Sequence, residues 1–203
     1  TGSSGLVGSE AVNFFIKKKF KIITVDNNLR KYFFGKNADT NWQKKNQIKK
    51  FKNEIIHNSV DIRNYRKMTD IFFKYKKKIR CIIHAAAQPS HDWAYKEPIL
   101  DFDVNAKATL HLLECTKKFC PKATFIYVST NKVYGDTPNK LKIKEKKTRF
   151  EIVDKRYKKG INENLSIDKS THSLFGVSKC SADLLVQEYG RNLKLKTGIF
   201  RAG

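Results

Sequence analysis

The sequence predicts an α/β domain, a doubly wound parallel sheet with helices on both faces. Three observations predict it. Short apolar runs alternate with segments of helical periodicity throughout the 203 residues. The apolar runs lack clean two-residue alternation, as strands buried on both faces do. The chain opens on a Thr-Gly-x-x-Gly-x-x-Gly pattern, Thr1 to Gly8, directly before a helical segment.

In that opening loop Gly2 permits a tight turn, Gly5 lets backbone approach a phosphate closely, and Gly8 lets the next helix pack tightly on the sheet. A helix N-terminus offers free N–H groups and a positive dipole end to an anion, and Leu6 and Val7 stand there. The spacing predicts a helix over 9–19, with Ala11, Val12, Phe15 and Ile16 on one side. A strand follows over 20–26 and ends in Asp26, with Asn27 next. Residues 27–53 are polar and basic, with a short helix expected over 41–52. Residues 54–60 read as a strand running into Asp61 and Ile62, and 64–77 as a helix. Residues 79–84 read as a strand ending at His84 and continuing into Ala85, Ala86, Ala87 and Gln88. One long helix is expected over 98–118. A strand over 123–130 ends at Ser129 and Thr130, a helix covers 172–192, and 197–201 is the last strand. The charged stretch 136–171 is long for a connection and reads as a functional loop or insertion near the substrate side. The strand that should feed Gly2 is absent and the chain stops just after an apolar run. It is therefore expected to be one dinucleotide-binding domain, 1–203, lacking its first strand and a C-terminal substrate domain.

Composition narrows the class. With 40% hydrophobic residues the chain can bury a sizeable core. No apolar run approaches the roughly 18 residues of a membrane span, so no membrane partner is expected. The net charge of +23 raises nucleic acid as a partner. The lysines are nevertheless scattered among helix ends and loops, which favours a solvated basic surface and no nucleic-acid function. Cys81, Cys115, Cys120 and Cys180 show no paired spacing and read as reduced thiols of a cytoplasmic protein. His84 and His91 lack a third ligand at zinc-like spacing, so no metal is expected.

In a parallel sheet, ligands gather at the carboxyl ends of the strands. Gly2, Asp26, Asp61, Ala85 to Gln88, Ser129 and Thr130 all fall at such ends. Asp26 follows Gly8 at the roughly 20-residue spacing of the dinucleotide motif. A carboxylate there accepts hydrogen bonds from both hydroxyls of an adenosine ribose and repels a 2′-phosphate, which favours NAD over NADP. Arg30 argues the other way, since a nearby arginine can accept that phosphate.

Taken together, Thr1 to Gly8, Asp26, Asp61-Ile62, His84 to Ala87, Asn105, Ser129 to Gly135, Phe175 to Lys179 and Phe200-Arg201 resemble the extended short-chain dehydrogenase/reductase family, in its nucleotide-sugar epimerase and dehydratase branch. The resemblance spans the whole chain and implies a Rossmann-like fold. His84 to Trp93 and Ser129 to Asn139 are most similar to the subgroup that epimerises the 2-position of CDP-linked sugars. Nucleotide-sugar 4-epimerases and 4,6-dehydratases are the alternatives. Dehydratases commonly carry Asp-Glu after the strand-end threonine, where this chain has Asn131-Lys132.

The resemblance implies that NAD serves as a recycled cofactor and a nucleotide-sugar as substrate. It implies that Asp61 and Ile62 contact adenine, that Ala85 to Ala87 pass close to the cofactor, and that Asn105 and Ser129 belong to the same site. Thr130 would hydrogen-bond the reacting sugar hydroxyl, and Lys179 would bridge the nicotinamide ribose hydroxyls. Gln88, Ser90, His91, Asp92, Asn131 and Lys132 are candidate substrate contacts. A homodimer through the helices at 98–118 and 172–192 is implied as well.

One position departs from the family. Its proton acceptor is a tyrosine four residues before the lysine, and here that residue is Phe175, which has no ionisable oxygen. Three explanations stay open. Another group accepts the proton, with His91, Asp92, Tyr134 and His172 as candidates. The reaction runs slowly on Thr130, Lys179 and water. Or the protein binds cofactor and sugar without turnover.

Overall fold

The computed structural model describes residues 1–203. The parallel sheet comes in two pieces. β1 (Ile22–Val25) pairs in parallel with β2 (Ile55–Asn58), with Ile22 opposite Ile55. β3 (Cys81–His84), β4 (Thr124–Thr130) and β7 (Lys196–Ala202) form the other piece in the order β3-β4-β7, all parallel. Thr1 and Gly2 tie the pieces together. The Thr1 amino group donates to Ile83 O at 2.8 Å, Ala85 N donates to Thr1 O at 3.2 Å, and Gly2 N donates to Val25 O at 2.9 Å. The five strands of these two pieces therefore run the same way, and the strand ends named above share one edge.

Helices connect the parallel strands, which no tight turn can join. α1 (Leu6–Lys17) packs on β1 and β3, and α3 (Asn41–Lys50) on β2. α4 (Tyr65–Tyr75), α7 (Ala108–Phe119) and α8 (Ser173–Arg191) lie side by side. α4 is opened by Asn64, whose side chain accepts from Lys67 N, as a helix-capping asparagine should. The core is built from the apolar stripes of these helices and the inward strand residues. Leu112, Leu113 and Phe125 are completely buried, and Met68, Val104 and Tyr127 nearly so. Burying each leucine side chain is worth about 1.5–3 kcal/mol.

Four local features differ from the sequence expectation. α2 (Leu29–Phe34) adds a helix inside the 27–53 segment, closed by Gly35 at a positive φ of 76°. α5 (His91–Lys96) forms just after the 88–90 turn, its Ser90 side chain accepting from Trp93 N. The long helix expected over 98–118 is α6 (Pro98–Phe102), a single π-helical turn over Asp103–Lys107, and α7. Finally, 136–171 is not wholly irregular. β5 (Ile143–Glu145) and β6 (Phe150–Ile152) pair there as an antiparallel hairpin. All of β5 is exposed, so no apolar alternation in the sequence announces it.

Candidate active site

The opening loop turns because Gly2 holds a φ of 68°. A Cβ on Gly2 would sit 2.6 Å from Ala86 N, so the β3 end packs against bare backbone. Gly8 behaves otherwise than expected. A Cβ there would meet Gly2 O at 2.0 Å and Ser3 Cα at 3.0 Å, so its role is closing the loop on itself rather than seating α1 on the sheet. Gly5 is the N-cap of α1 and supplies no capping side chain, and the first turn holds no acid. The first amide to bond back within the helix is Ser9 N, to Gly5 O at 2.9 Å. The amides of Leu6 and Val7 therefore stand unpaired at a positive dipole end.

These amides face a cleft of about 230 Å³. Its walls bring together Gly2, Gly5, Leu6, Val7, Asp26, Asn27, Asp61, Ile62, Ala85, Ala86 and Ala87 from the sequence-derived set. Sequence reasoning did not select Leu29, Thr40, Val60, Pro89, Val104 and Val128, which also line it. The strand-end position of Val60 and Val128 was a usable signal. Thr40 carried none, because only the fold of 27–40 brings it there. Its amide and hydroxyl both donate to Asn28 Oδ1, at 2.9 and 3.0 Å.

Two carboxylates flank the cleft, already oriented by the protein. Asp26 accepts from Ser4 N at 2.9 Å and from Asn28 N at 2.8 Å. Asp61 accepts from the Arg63 guanidinium, 2.7 Å at the closest, and from Asn27 Nδ2 at 2.9 Å. Burial works to raise the Asp61 pKa, but the bonds and charge of Arg63 outweigh it and hold the carboxyl below its usual range. Arg30 also lines the cleft, its guanidinium 5.1 Å above the Phe34 ring.

Gln88, Asn105 and Ser129 were expected to touch ligand. The structure turns their side chains inward. Asn105, set by the π turn, accepts from Gln88 N and donates to Gln88 O, Asp101 and Ser178 Oγ at 2.9–3.1 Å. Gln88 Nε2 donates to Ser90 O and to Asp101 Oδ1, both at 2.7 Å. Both residues are 1% exposed. They pin the segment after β3 rather than contact a ligand. Ser129 donates to the buried Asp183 at 2.6 Å.

Asp183 also receives Arg201 through two nitrogens, at 3.0 and 2.9 Å, and Gln187 at 2.7 Å. Burial pushes Asp183 up, but the Arg201 bonds, with those of Ser129 and Gln187, bring its pKa below the usual value. Arg201 donates in addition to Tyr134 Oη at 2.8 Å. This network fastens the ends of β4 and β7 to α8.

Lys179 follows on the same helix. It is 3% exposed, donates to Val128 O at 2.9 Å, and lies 4.4 Å from the Tyr127 ring centroid. Burial pushes its pKa down to about 8 against the pull of Asp183 and Asp101. Thr130 is half-buried at the β4 end, its hydroxyl accepting from Lys132 N at 3.3 Å. Phe175, one turn before Lys179, is buried with its ring 4.8 Å from the His91 ring. His91 Nδ1 lies 3.0 Å from Ser173 Oγ. His84 is a core residue, bonded to Thr1 Oγ1 and Thr109 Oγ1, and burial keeps it neutral. Trp93 packs edge-on against Phe33 at 5.4 Å.

A parallel α/β sheet carrying an uncapped helix N-terminus, a strand-end carboxylate and a lysine-bearing helix at one edge defines a dinucleotide-binding domain of the Rossmann class. The chain belongs to the NAD-dependent epimerase/dehydratase family, whose model matches residues 1–203. It is 34% identical to CDP-paratose 2-epimerase of Salmonella typhi over 99% of this chain and 55% of that protein. It is 31% identical to dTDP-D-glucose 4,6-dehydratase of Dictyostelium discoideum over 100% of this chain and 42% of that protein. The chain thus spans about half the length of the curated relatives it matches. Among solved structures, UDP-glucose 4-epimerase of Thermus thermophilus in complex with NAD superposes with a TM-score of 0.69 at 21% identity, over 98% of this chain and 52% of that one. NAD is the family's cofactor. The cleft fits it, offering two unpaired amides, a loop a Cβ would block, and an oriented carboxylate.

Proposed function

We propose that the protein carrying this chain is an NAD-dependent nucleotide-sugar epimerase of the CDP-paratose 2-epimerase type. The observation that carries this reading is the shared edge: the cleft, Thr130 and Lys179 all lie at the carboxyl ends of the strands. The 34% identity along 99% of the chain favours the 2-epimerase over its relatives. Asn131-Lys132 after Thr130 speaks against the dehydratase.

In this reading the amides of Leu6 and Val7 hold the pyrophosphate, Asp26 with Asn27 beside it takes the adenosine ribose, and Asp61 and Ile62 flank the adenine. Ala85 to Ala87 leave room for the remainder. When bound, NAD supplies a hydride acceptor that is also the returning donor. Thr130 orients the reacting sugar hydroxyl and Lys179 holds the second ribose. Ser90, His91, Asp92, Asn131 and Lys132 surround the sugar nucleotide. The sugar carbon is oxidised to a ketone and reduced from its other face, inverting the centre.

Phe102, Leu110 and Leu184 are exposed along α6, α7 and α8 and line one groove, the face we assign to a homodimer. The four cysteines are free, in keeping with a cytoplasmic setting. No helix is long and apolar enough to cross a membrane.

The test is turnover. Full-length protein incubated with CDP-paratose should give the 2-epimer by NMR, and Thr130→Val should slow it at least about 100-fold. Conversion of UDP-glucose or dTDP-glucose in its place would redirect the assignment to a 4-epimerase or 4,6-dehydratase. Phe175 motivates a second reading, an NAD-binding module without turnover, which tight NAD binding with no sugar conversion would support.

A further inference from the structure

Epimerisation by transient oxidation requires a group that takes the hydroxyl proton, and Phe175 has none to offer. The structure sorts the neighbouring candidates. Tyr134 is 6% exposed, with its hydroxyl accepting from Arg201 and donating to Asn162 O at 3.4 Å. His172 is occupied by Ile167 O at 2.7 Å, and its Nδ1 is buried. Asp92 is exposed on α5. Lys179 donates to Val128 O. His91 alone packs against the Phe175 ring, at 4.8 Å between centroids, and its Nε2 makes no hydrogen bond to the protein.

The anchor of His91 is unusual. Ser173 sits at a φ of 60°, in the left-handed region that a serine seldom enters. That conformation opens α8 with the Ser173 hydroxyl on His91 Nδ1 at 3.0 Å, while the same oxygen accepts from Gly176 N at 3.2 Å. A hydroxyl oxygen has two lone pairs, so it can accept both N–H groups. With Nδ1–H donating to Ser173, Nε2 keeps its lone pair; with the Ser173 hydroxyl donating to Nδ1, the ring proton sits on Nε2 instead.

Resting on the epimerase reading above, we propose that His91 is the proton acceptor, standing in for the hydroxyl that Phe175 lacks, with Ser173 as its positioning residue. As the sugar C–H bond breaks, its electron pair leaves as hydride to bound NAD⁺. The O–H proton passes to Nε2, giving imidazolium, and C=O forms. Return of hydride to the opposite face and of the proton to oxygen yields the epimer, NAD⁺ and neutral His91.

The experiment compares wild type, His91→Gln, Phe175→Tyr and the double variant in full-length protein, with CDP-paratose as probe. His91→Gln should lower kcat about 10²–10⁴-fold while KM and NAD affinity stay within about three-fold. Adding Phe175→Tyr should restore at least about ten-fold of that loss. Long-range ¹H–¹⁵N spectra should place the proton of neutral His91 on Nδ1, and Ser173→Ala should release that preference. A His91→Gln kcat within about three-fold of wild type overturns the proposal. So does a double variant no better than His91→Gln, or an Nε2–H tautomer. If wild type is inert but Phe175→Tyr turns over, His91 is excluded and the epimerase reading survives. If neither turns over CDP-paratose, the epimerase reading falls, and this proposal with it.

Discussion

A Cβ on Gly8 would stand 2.0 Å from the carbonyl oxygen of Gly2, backbone against backbone. Neither atom can rotate away, so the loop and the first turn of α1 must separate if Gly8 acquires a side chain. Gly8→Ala is expected to cost about 1–3 kcal/mol, as other overpacked sites do, and to lower the melting temperature by about 3–10 °C. NAD affinity, read by calorimetry, should fall at least about ten-fold. An unchanged melting curve would refute the contact.

Asp26 joins the glycine loop to the segment after β1 through Ser4 N and Asn28 N. Asp26→Ala removes both bonds and the carboxylate. NAD should bind roughly 10–100-fold more weakly, the loss of one or two hydrogen bonds to a charged group. Asp26→Asn keeps the shape and should discriminate less against NADP. Unaltered NAD affinity in Asp26→Ala would remove the ribose role.

The Asp183–Arg201 pair is nearly closed to solvent, with side-chain exposures of 1% and 15%. Removing one partner leaves an uncompensated charge. Arg201→Met and Asp183→Asn are each expected to cost about 3–5 kcal/mol in urea unfolding, with the double variant costing less than their sum. Additive losses would mean that the pair is not coupled.

Lys179 should leave a pH signature. Its folded pKa of about 8 lies below the ordinary 10.5, so the unfolded chain holds the proton more tightly. Below pH 8 the charged form burdens the fold in full. Between pH 8 and 10.5 the folded lysine releases its proton first, and stability rises with pH through that window. Lys179→Met removes the burden. The variant should exceed wild type by on the order of 3 kcal/mol at pH 7, a gap that closes by about pH 10.5. Parallel pH–stability curves for the two proteins would contradict the burial assignment.

The strands, the main helices and the cleft were legible because each rests on local pattern. The glycine loop, Asp26 and the Ala85–Ala87 run are contiguous or at motif spacing, and all of them line the cleft. What was not legible depends on meetings across the fold. Nothing near Gln88 and Asn105 tells whether their amides face ligand or each other; that is decided where α6, the π turn and α8 pack. Lys179 looks like a solvated helix lysine until α8 is laid on β4. Ser173 carries no sequence mark of its left-handed backbone.

The π turn at Asp103–Lys107 changes how this helix is to be compared with others. One surplus residue is absorbed there, and each residue of an α-helix advances the side chains by about 100°. Asp101, bonded to Gln88 and Asn105, and Leu112, in the core, stand on different phases of the helix because that surplus lies between them. A homologous helix without it matches this one residue for residue on one side of the turn alone. An alignment without a gap would pair positions of different helix phase beyond the turn and assign conservation to the wrong face.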